Sequence, residues 1–194
     1  MNNTQLNDAI FDTLRMYWRV RGGIAACRTL IEENPQFNIH LNYKLVPSFG
    51  SVRNIISQET VSNAFSSVMS YVNAGRLNVD IFYAIISHLE GFLTFKLKEA
   101  GLSEEGTFGQ LQRRAENAFP IKPSLIARVD EIRERRNCLI HHGGVVSAKY
   151  LQAASVAAAI SSDFPINLHQ AALSVSDEYL SYCAESFISY SGDF

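Results

Sequence analysis

The 194-residue sequence has few cysteines, no long apolar run and no excess of basic residues. Its three cysteines, Cys27, Cys138 and Cys183, form no close pair, which argues against a disulfide framework or a cysteine zinc site. No apolar run approaches the roughly 18 residues that a membrane span needs. The first residues have neither a basic start nor an apolar core, so we expect no signal peptide and a cytoplasmic location.

The overall charge excludes one class of nucleic-acid-binding protein. Net charge is −2 and the pI is about 6.2, whereas a protein that coats duplex DNA without sequence preference is normally basic. The segment from Arg128 to Lys149 is different, because it holds five Lys/Arg and three Asp/Glu. This local charge of +2 is compatible with a small anion-binding site.

The spacing of apolar residues predicts an all-α fold. We expect an N-terminal helical extension or subdomain over 1–75 and a second helical domain over 78–190. An alternation of apolar and polar residues at 39–45 predicts a short strand or an extended loop. The predicted helices are Leu6–Asn34 with a bend or break at Gly22-Gly23, 60–75, Val79–Ala100, 107–118 capped by Thr107, Ser124–His142, 148–160 capped by Ser147, and Leu168–Tyr190, with turns at Pro35 and at Asp163-Phe164-Pro165.

The segment 135–144, Arg-Arg-Asn-Cys-Leu-Ile-His-His-Gly-Gly, is the most informative part of the chain. Guanidinium groups bind phosphate oxygens in bidentate fashion and keep their charge, and an imidazole gives or takes a proton near neutrality. One reaction that uses both is attack of a ribose hydroxyl on the neighbouring phosphate of RNA.

The periodicity of the helix that ends in this segment does not say which arginine and histidine act together. Leu125, Val129, Ile132 and Leu139 form an apolar stripe into which Arg136 falls, whereas Arg128, Arg133 and Arg135 look like a solvated face. Arg136 and His141 lie about 140° apart on an ideal helix, so they meet only if the last turn is distorted or a second chain contributes. Arg135 and His142 align better.

Other interpretations of the segment use the same residues. His141 and His142 precede Gly143-Gly144, where a helix C-terminus favours cationic or donor side chains without any function. Arg136 is also a candidate for an ion pair with Glu90 on the preceding long helix. A metal site at the two histidines is disfavoured, because adjacent residues point about 100° apart and no Asp/Glu cluster accompanies them.

The stretch Arg136-Asn137-Cys138-Leu139-Ile140-His141 resembles the Arg-Asn-x-x-x-His motif of the HEPN superfamily of helical domains. Its surroundings are also similar: a long helix with Leu89-Glu90-Gly91-Phe92-Leu93, a helix that opens at Thr107-Phe108-Gly109-Gln110-Leu111, and Gly143-Gly144-Val145-Val146 followed by Tyr150-Leu151. The resemblance covers about residues 78–190. The spacing fits both Arg136 to His141 and Arg135 to His142.

This resemblance implies a HEPN-like helical bundle that dimerises, with the arginines and histidines of both chains in one cleft. Active members are similar in being endoribonucleases of toxin, defence or RNA-processing systems that need no metal or cofactor. Arg136 would then hold the scissile phosphate, His141 would act as general acid or base, and Asn137 would orient either one. The resemblance leaves Arg135, His142 and Arg133 as substrate-binding candidates and Glu90 and Tyr150 as supporting residues.

The resemblance leaves two classes of function open. The first is an RNA-cleaving homodimer, which as a toxin would be held in check by a protein antitoxin or inhibitor. The second is a catalytically inactive HEPN-like module that dimerises or binds RNA or a nucleotide. The presence of Arg, Asn and His together favours the first, whereas the slightly acidic chain without a long basic track favours the second.

Overall fold

The described residues form helices and one pair of short strands. A computed structural model describes residues 1–34, 40–44, 56–160 and 171–194. The described helices are α1 (Asn3–Glu33), α2 (Val61–Asn73), α3 (Arg76–Glu99), α4 (Phe108–Ala118), α5 (Pro123–His141), α6 (Ala148–Ile160) and α7 (Asp177–Ser191). Strand β1 (His40–Lys44) pairs antiparallel with β2 (Ile56–Thr60). The predicted all-α class is confirmed, and the strand predicted near 39–45 is β1.

The chain divides into two compact units. One unit is Met16–Arg76, and the other joins Met1–Arg15 to Leu77–Phe194. The first fifteen residues therefore belong with the C-terminal helices and not with the predicted 1–75 subdomain. Leu6 and Ile10 account for this, because both are fully buried in the larger unit.

Helix α3 supplies much of the core of the larger unit. Its buried side chains recur at steps of three and four residues and are Phe82, Ile85, Ile86, Leu89, Phe92, Leu93 and Leu97. This is the pattern of a helix whose apolar face packs against several neighbours. Gly101 follows α3 with φ of +69°, a left-handed conformation that glycine adopts without strain.

Helix α5 is buried over a wider sector than its aliphatic stripe indicates. Leu125, Val129 and Ile132 are buried as predicted, and Leu139 is half-buried. Glu131 and Arg135 are buried as well, because α6 and α7 both pack against this helix. The prediction that Arg135 lies on a solvated face is therefore wrong, and Arg136 is only half-buried.

The first helix does not split at Gly22-Gly23, and the last helix is shorter at its N-terminal end than predicted. Helix α1 continues through Gly22 and Gly23, since neither glycine leaves the helical conformation and each costs the helix only about 1 kcal/mol. The last helix begins at Asp177, where the Ser176 side chain caps it by accepting from the Tyr179 N–H. Residues just before it pair with the chain after α5. The predicted turns at Pro35 and Asp163–Pro165 and the predicted helix start at Leu168 lie outside the described residues.

Among the described helices, none combines the length and the apolarity needed to cross a membrane.

Candidate functional site

The end of α5 turns sharply and leaves two histidines at the surface. The Cys138 carbonyl accepts hydrogen bonds from the N–H groups of His142 and Gly144, each at 3.0 Å. Gly143 and Gly144 have φ of +58° and +84°, values that favour glycine. The predicted glycine-capped helix end is therefore present, and His141 and His142 are exposed on it.

The chain after this turn is fixed against the segment that precedes α7. Leu173 N–H donates to the Gly144 carbonyl at 2.8 Å, and Val145 bridges Ala172. Ser147 then caps α6 by accepting from the Tyr150 N–H at 3.1 Å, as predicted. The end of α5 and the start of α6 are thereby held close together.

An open groove of about 680 Å³ lies along the last turns of α5. The first turn of α4 and the first turn of α6 form its other walls. Five of the residues predicted for the site line it, namely Arg133, Arg136, Asn137, His141 and His142. The remaining lining residues are Thr107, Phe108, Gly109, Gln110, Arg113, Glu134, Ser147, Ala148 and Lys149.

Arg136 keeps a guanidinium available to a ligand. Among the described residues it makes no hydrogen bond or ion pair, so the predicted pair with Glu90 is absent. Its charge is felt at Tyr83 of α3, where burial raises the pKa of the phenol and Arg136 partly opposes that rise. Tyr83 is thus a neighbour of the site that the sequence did not single out. A charged, half-buried and unpaired guanidinium in a groove is suited to bind an anion.

Arg136 and His141 reach the same groove within one chain. Helix α5 stays helical as far as His141, so no distortion of its last turn brings them together. Both nevertheless line the same hollow of about 680 Å³. Within the described part of the chain, neither imidazole makes a hydrogen bond or an ion pair with another residue, which leaves both rings available for proton transfer.

Asn137 is held by a hydrogen-bonded array that enters the groove. Its Nδ2 donates to Glu134 at 3.3 Å, and Glu134 also accepts from Arg133 Nε at 3.0 Å. Arg133 in turn donates to Gln112 at 2.7 Å and pairs with Asp130 at 2.6 Å. The charge of Arg133 is therefore neutralised by two carboxylates, and its predicted role as a free substrate-binding residue has no support in this geometry.

Gln112 anchors this array beneath the groove. It is fully buried on α4 and donates from Nε2 to Glu116 at 2.6 Å and to Asp130 at 2.9 Å. Burial raises the pKa of Glu116 in spite of the bond from Gln112. Gln112 was missed from the sequence, since its role depends on contacts between α4 and α5. Glu134 and Asp130, which pair with Arg133 within α5, were not predicted for the site either.

Arg135 lies outside the groove and is a structural residue. It is 4% exposed and donates to Glu131 at 3.1 Å, to the Ser174 carbonyl at 2.8 Å and to the Tyr150 hydroxyl at 2.7 Å. Its guanidinium carbon also lies 3.9 Å from the centre of the Tyr179 ring. Tyr150 is likewise fully buried, so it supports the fold at Arg135 and does not reach a ligand in the groove.

Two further cations, Arg113 and Lys149, line the groove and were not predicted for the site. They come from different helices, α4 and α6, and both are exposed. Neither is paired with a described residue. No group of three or more His, Cys, Asp or Glu within the described ranges is arranged to hold a metal ion.

Comparisons with protein families, with curated proteins and with solved structures give no match to this chain.

Proposed function

We propose that this protein is a HEPN-like, metal-independent endoribonuclease that acts as a homodimer in the cytoplasm. One observation carries the proposal: an unpaired arginine, an asparagine and two exposed histidines line one groove at the end of α5. These are the residue types that phosphate binding and proton transfer require. The resemblance of Arg136-Asn137-x-x-x-His141 to the HEPN motif supports the same chemistry.

The reaction assigns a separate task to each side chain. Arg136 holds the non-bridging oxygens of the scissile phosphate and stabilises the charge that develops on them. His141 removes the proton of the ribose 2′-hydroxyl, whose oxygen then attacks phosphorus. The bond from phosphorus to the 5′-oxygen breaks, and that oxygen takes a proton from a second imidazole, for which His142 is available. The products carry a 2′,3′-cyclic phosphate and a 5′-hydroxyl.

The role of Asn137 follows from its hydrogen bond to Glu134. Because its Nδ2 donates to the carboxylate, its Oδ1 is left to accept from a ligand or from an imidazole N–H. Such a bond would fix the ring orientation and the tautomer of a histidine. We therefore assign Asn137 to positioning.

The apolar surface beside the histidines supports the homodimer. Ile140 and Val145 are 43% and 60% exposed, and they flank His141 and His142 along the chain. A second copy that covers them would bring two grooves into one cleft, which is the arrangement implied by the HEPN resemblance. A ribonuclease of this kind that acts as a toxin would be held in check by a protein antitoxin or inhibitor.

The test is cleavage of single-stranded RNA in EDTA by the wild-type protein, Arg136→Ala, His141→Ala and a matched control, Arg15→Ala. Arg15 is exposed on α1 and outside the groove. We expect the wild-type protein and the control to leave 2′,3′-cyclic phosphates, and each groove variant to lose roughly 100-fold or more in rate. Cleavage by Arg136→Ala at the wild-type rate would refute the assignment. Binding without cleavage by the wild-type protein would favour the inactive module.

A further inference from the structure

A second hollow of about 370 Å³ adjoins the groove. The two hollows share four lining residues, Arg113, Arg133, Glu134 and Lys149. Arg136 and the histidines line only the first hollow, whereas Ala127, Asp130, Gln152, Ala153 and Val156 line only the second. The four shared residues therefore lie between the first hollow, which contains Arg136 and the histidines, and the second hollow, which does not.

The passage between the hollows carries free positive charge. Arg133 is neutralised there by Asp130 and Glu134, as described above, whereas Arg113 and Lys149 are exposed and make no ion pair with any residue in the described ranges. Together the two hollows are lined by four Lys/Arg and two Asp/Glu, a net charge of +2 in a chain whose net charge is −2. This contrast favours a polyanion that runs from one hollow into the other.

The second hollow differs from the first in chemistry. Three small aliphatic side chains, Ala127, Ala153 and Val156, give it an apolar surface, and Gln152 supplies an amide that both donates and accepts. Its volume is within the roughly 300–1,000 Å³ of small-ligand sites. An apolar surface beside one amide suits a flat nucleobase, and the cations at its entrance suit the phosphate attached to it.

We propose that the second hollow is a nucleotide subsite, which holds the base of the nucleotide one step beyond the two at the cleaved bond, while Arg113 and Lys149 bind the phosphate that joins it to them. The inference rests on the proposed ribonuclease function for the identity of the chain that it binds, single-stranded RNA. Since none of the described residues that line the second hollow is aromatic, base stacking contributes little and the phosphate contacts dominate the affinity. The subsite thus extends substrate recognition beyond the two nucleotides at the reacting phosphate.

The test compares Arg113→Ala/Lys149→Ala with the matched control Arg15→Ala/Lys98→Ala. The control removes the same charge from two exposed residues outside both hollows. The probes are a dinucleotide and a hexanucleotide of 2′-O-methyl RNA for binding, and the same lengths of RNA for cleavage. We expect Arg113→Ala/Lys149→Ala to lose roughly tenfold in affinity for the hexanucleotide but not for the dinucleotide. The slope of log K against log salt should fall by roughly 0.7, the contribution of the one phosphate that the two cations bind.

The outcomes separate this inference from the proposed function. If the wild-type protein cleaves the hexamer and Arg113→Ala/Lys149→Ala binds and cleaves it equally well, the subsite is refuted and the ribonuclease stands. If the wild-type protein binds the hexamer through Arg113 and Lys149 but cleaves nothing, the subsite stands and the ribonuclease is refuted. Hexamer binding no tighter than dimer binding by the wild-type protein would also refute the subsite. A loss shared by the control would show only a general charge effect and would refute it too.

Discussion

Replacing Arg135 with alanine should destabilise the protein severely, although the residue lies next to the proposed catalytic arginine. The change removes the hydrogen bonds to Glu131, the Ser174 carbonyl and Tyr150, and the contact with the Tyr179 ring. It leaves the fully buried Glu131 carboxylate with one described donor, the Tyr179 hydroxyl at 2.7 Å. Removing one partner of such a buried pair costs about 3–5 kcal/mol, a large part of the 5–15 kcal/mol that stabilises a typical domain.

Urea unfolding followed by circular dichroism measures the effect. A loss of about 4 kcal/mol at a slope of about 2 kcal/mol per molar lowers the urea midpoint by roughly 2 M. Arg135→Lys keeps the charge but loses the planar fork and the ring contact, so we expect a smaller loss that is still measurable. This variant keeps the test informative if Arg135→Ala does not fold.

Arg136→Ala is the matched comparison, because it removes the same side chain one residue further along α5. Its guanidinium has no hydrogen bond or ion pair with a described residue, so its loss should change the unfolding free energy by less than about 0.5 kcal/mol. The two variants should thus separate stability from activity. Equal destabilisation by both, or none by Arg135→Ala, would contradict the division of roles between the two arginines.

Two further predictions concern pH and assembly. Burial lowers the pKa of His88, whose Nε2 lies 2.9 Å from the Thr13 hydroxyl. The unfolded state therefore binds the proton more tightly than the folded state does. The free energy of unfolding should fall as pH drops from about 6.5 through the lower folded-state pKa. Urea midpoints at pH 7 and pH 5 should differ less in His88→Gln than in the wild-type protein, and an unchanged difference would exclude His88 as a cause. Val145→Asp should convert the proposed dimer to a monomer in light scattering and slow RNA cleavage, whereas Leu102→Asp, at a similarly exposed apolar position in the larger unit, should do neither. A Val145→Asp protein that remains dimeric would place the interface elsewhere.

Helix positions were predictable where the sequence pattern reports on one element alone. The aliphatic spacing of α3, the Thr107 and Ser147 caps and the glycines after α5 depend on residues close in sequence, and the structure confirms them. The start of α7 was not predictable in this way. Residues 171–173 pair with the chain after α5, and that long-range contact excludes them from a helix.

The site was predictable in composition but not in the roles of its arginines. The sequence indicated that Arg136, Asn137 and the two histidines belong together, and all four line the groove. It also placed Arg135 on a solvated face, because the predicted buried stripe of α5 contains only aliphatic residues and Arg135 lies outside it. The partners of Arg135, namely Glu131, Tyr150, Tyr179 and the Ser174 carbonyl, come from three other parts of the chain besides α5. No periodicity within one helix reports that kind of burial.

The buried arginine also constrains how the exposed one is presented. Arg135 ties α5 to Tyr150 of α6 and to Ser174 before α7, while Ser147 and the Gly144–Leu173 bond fix the turn between them. With these contacts in place, the last turn of α5 has a defined position, and Arg136 lines the groove together with His141. A binding site held within a fraction of an ångström needs such supporting contacts. The two adjacent arginines therefore form one arrangement, in which the first fixes the helix that positions the second.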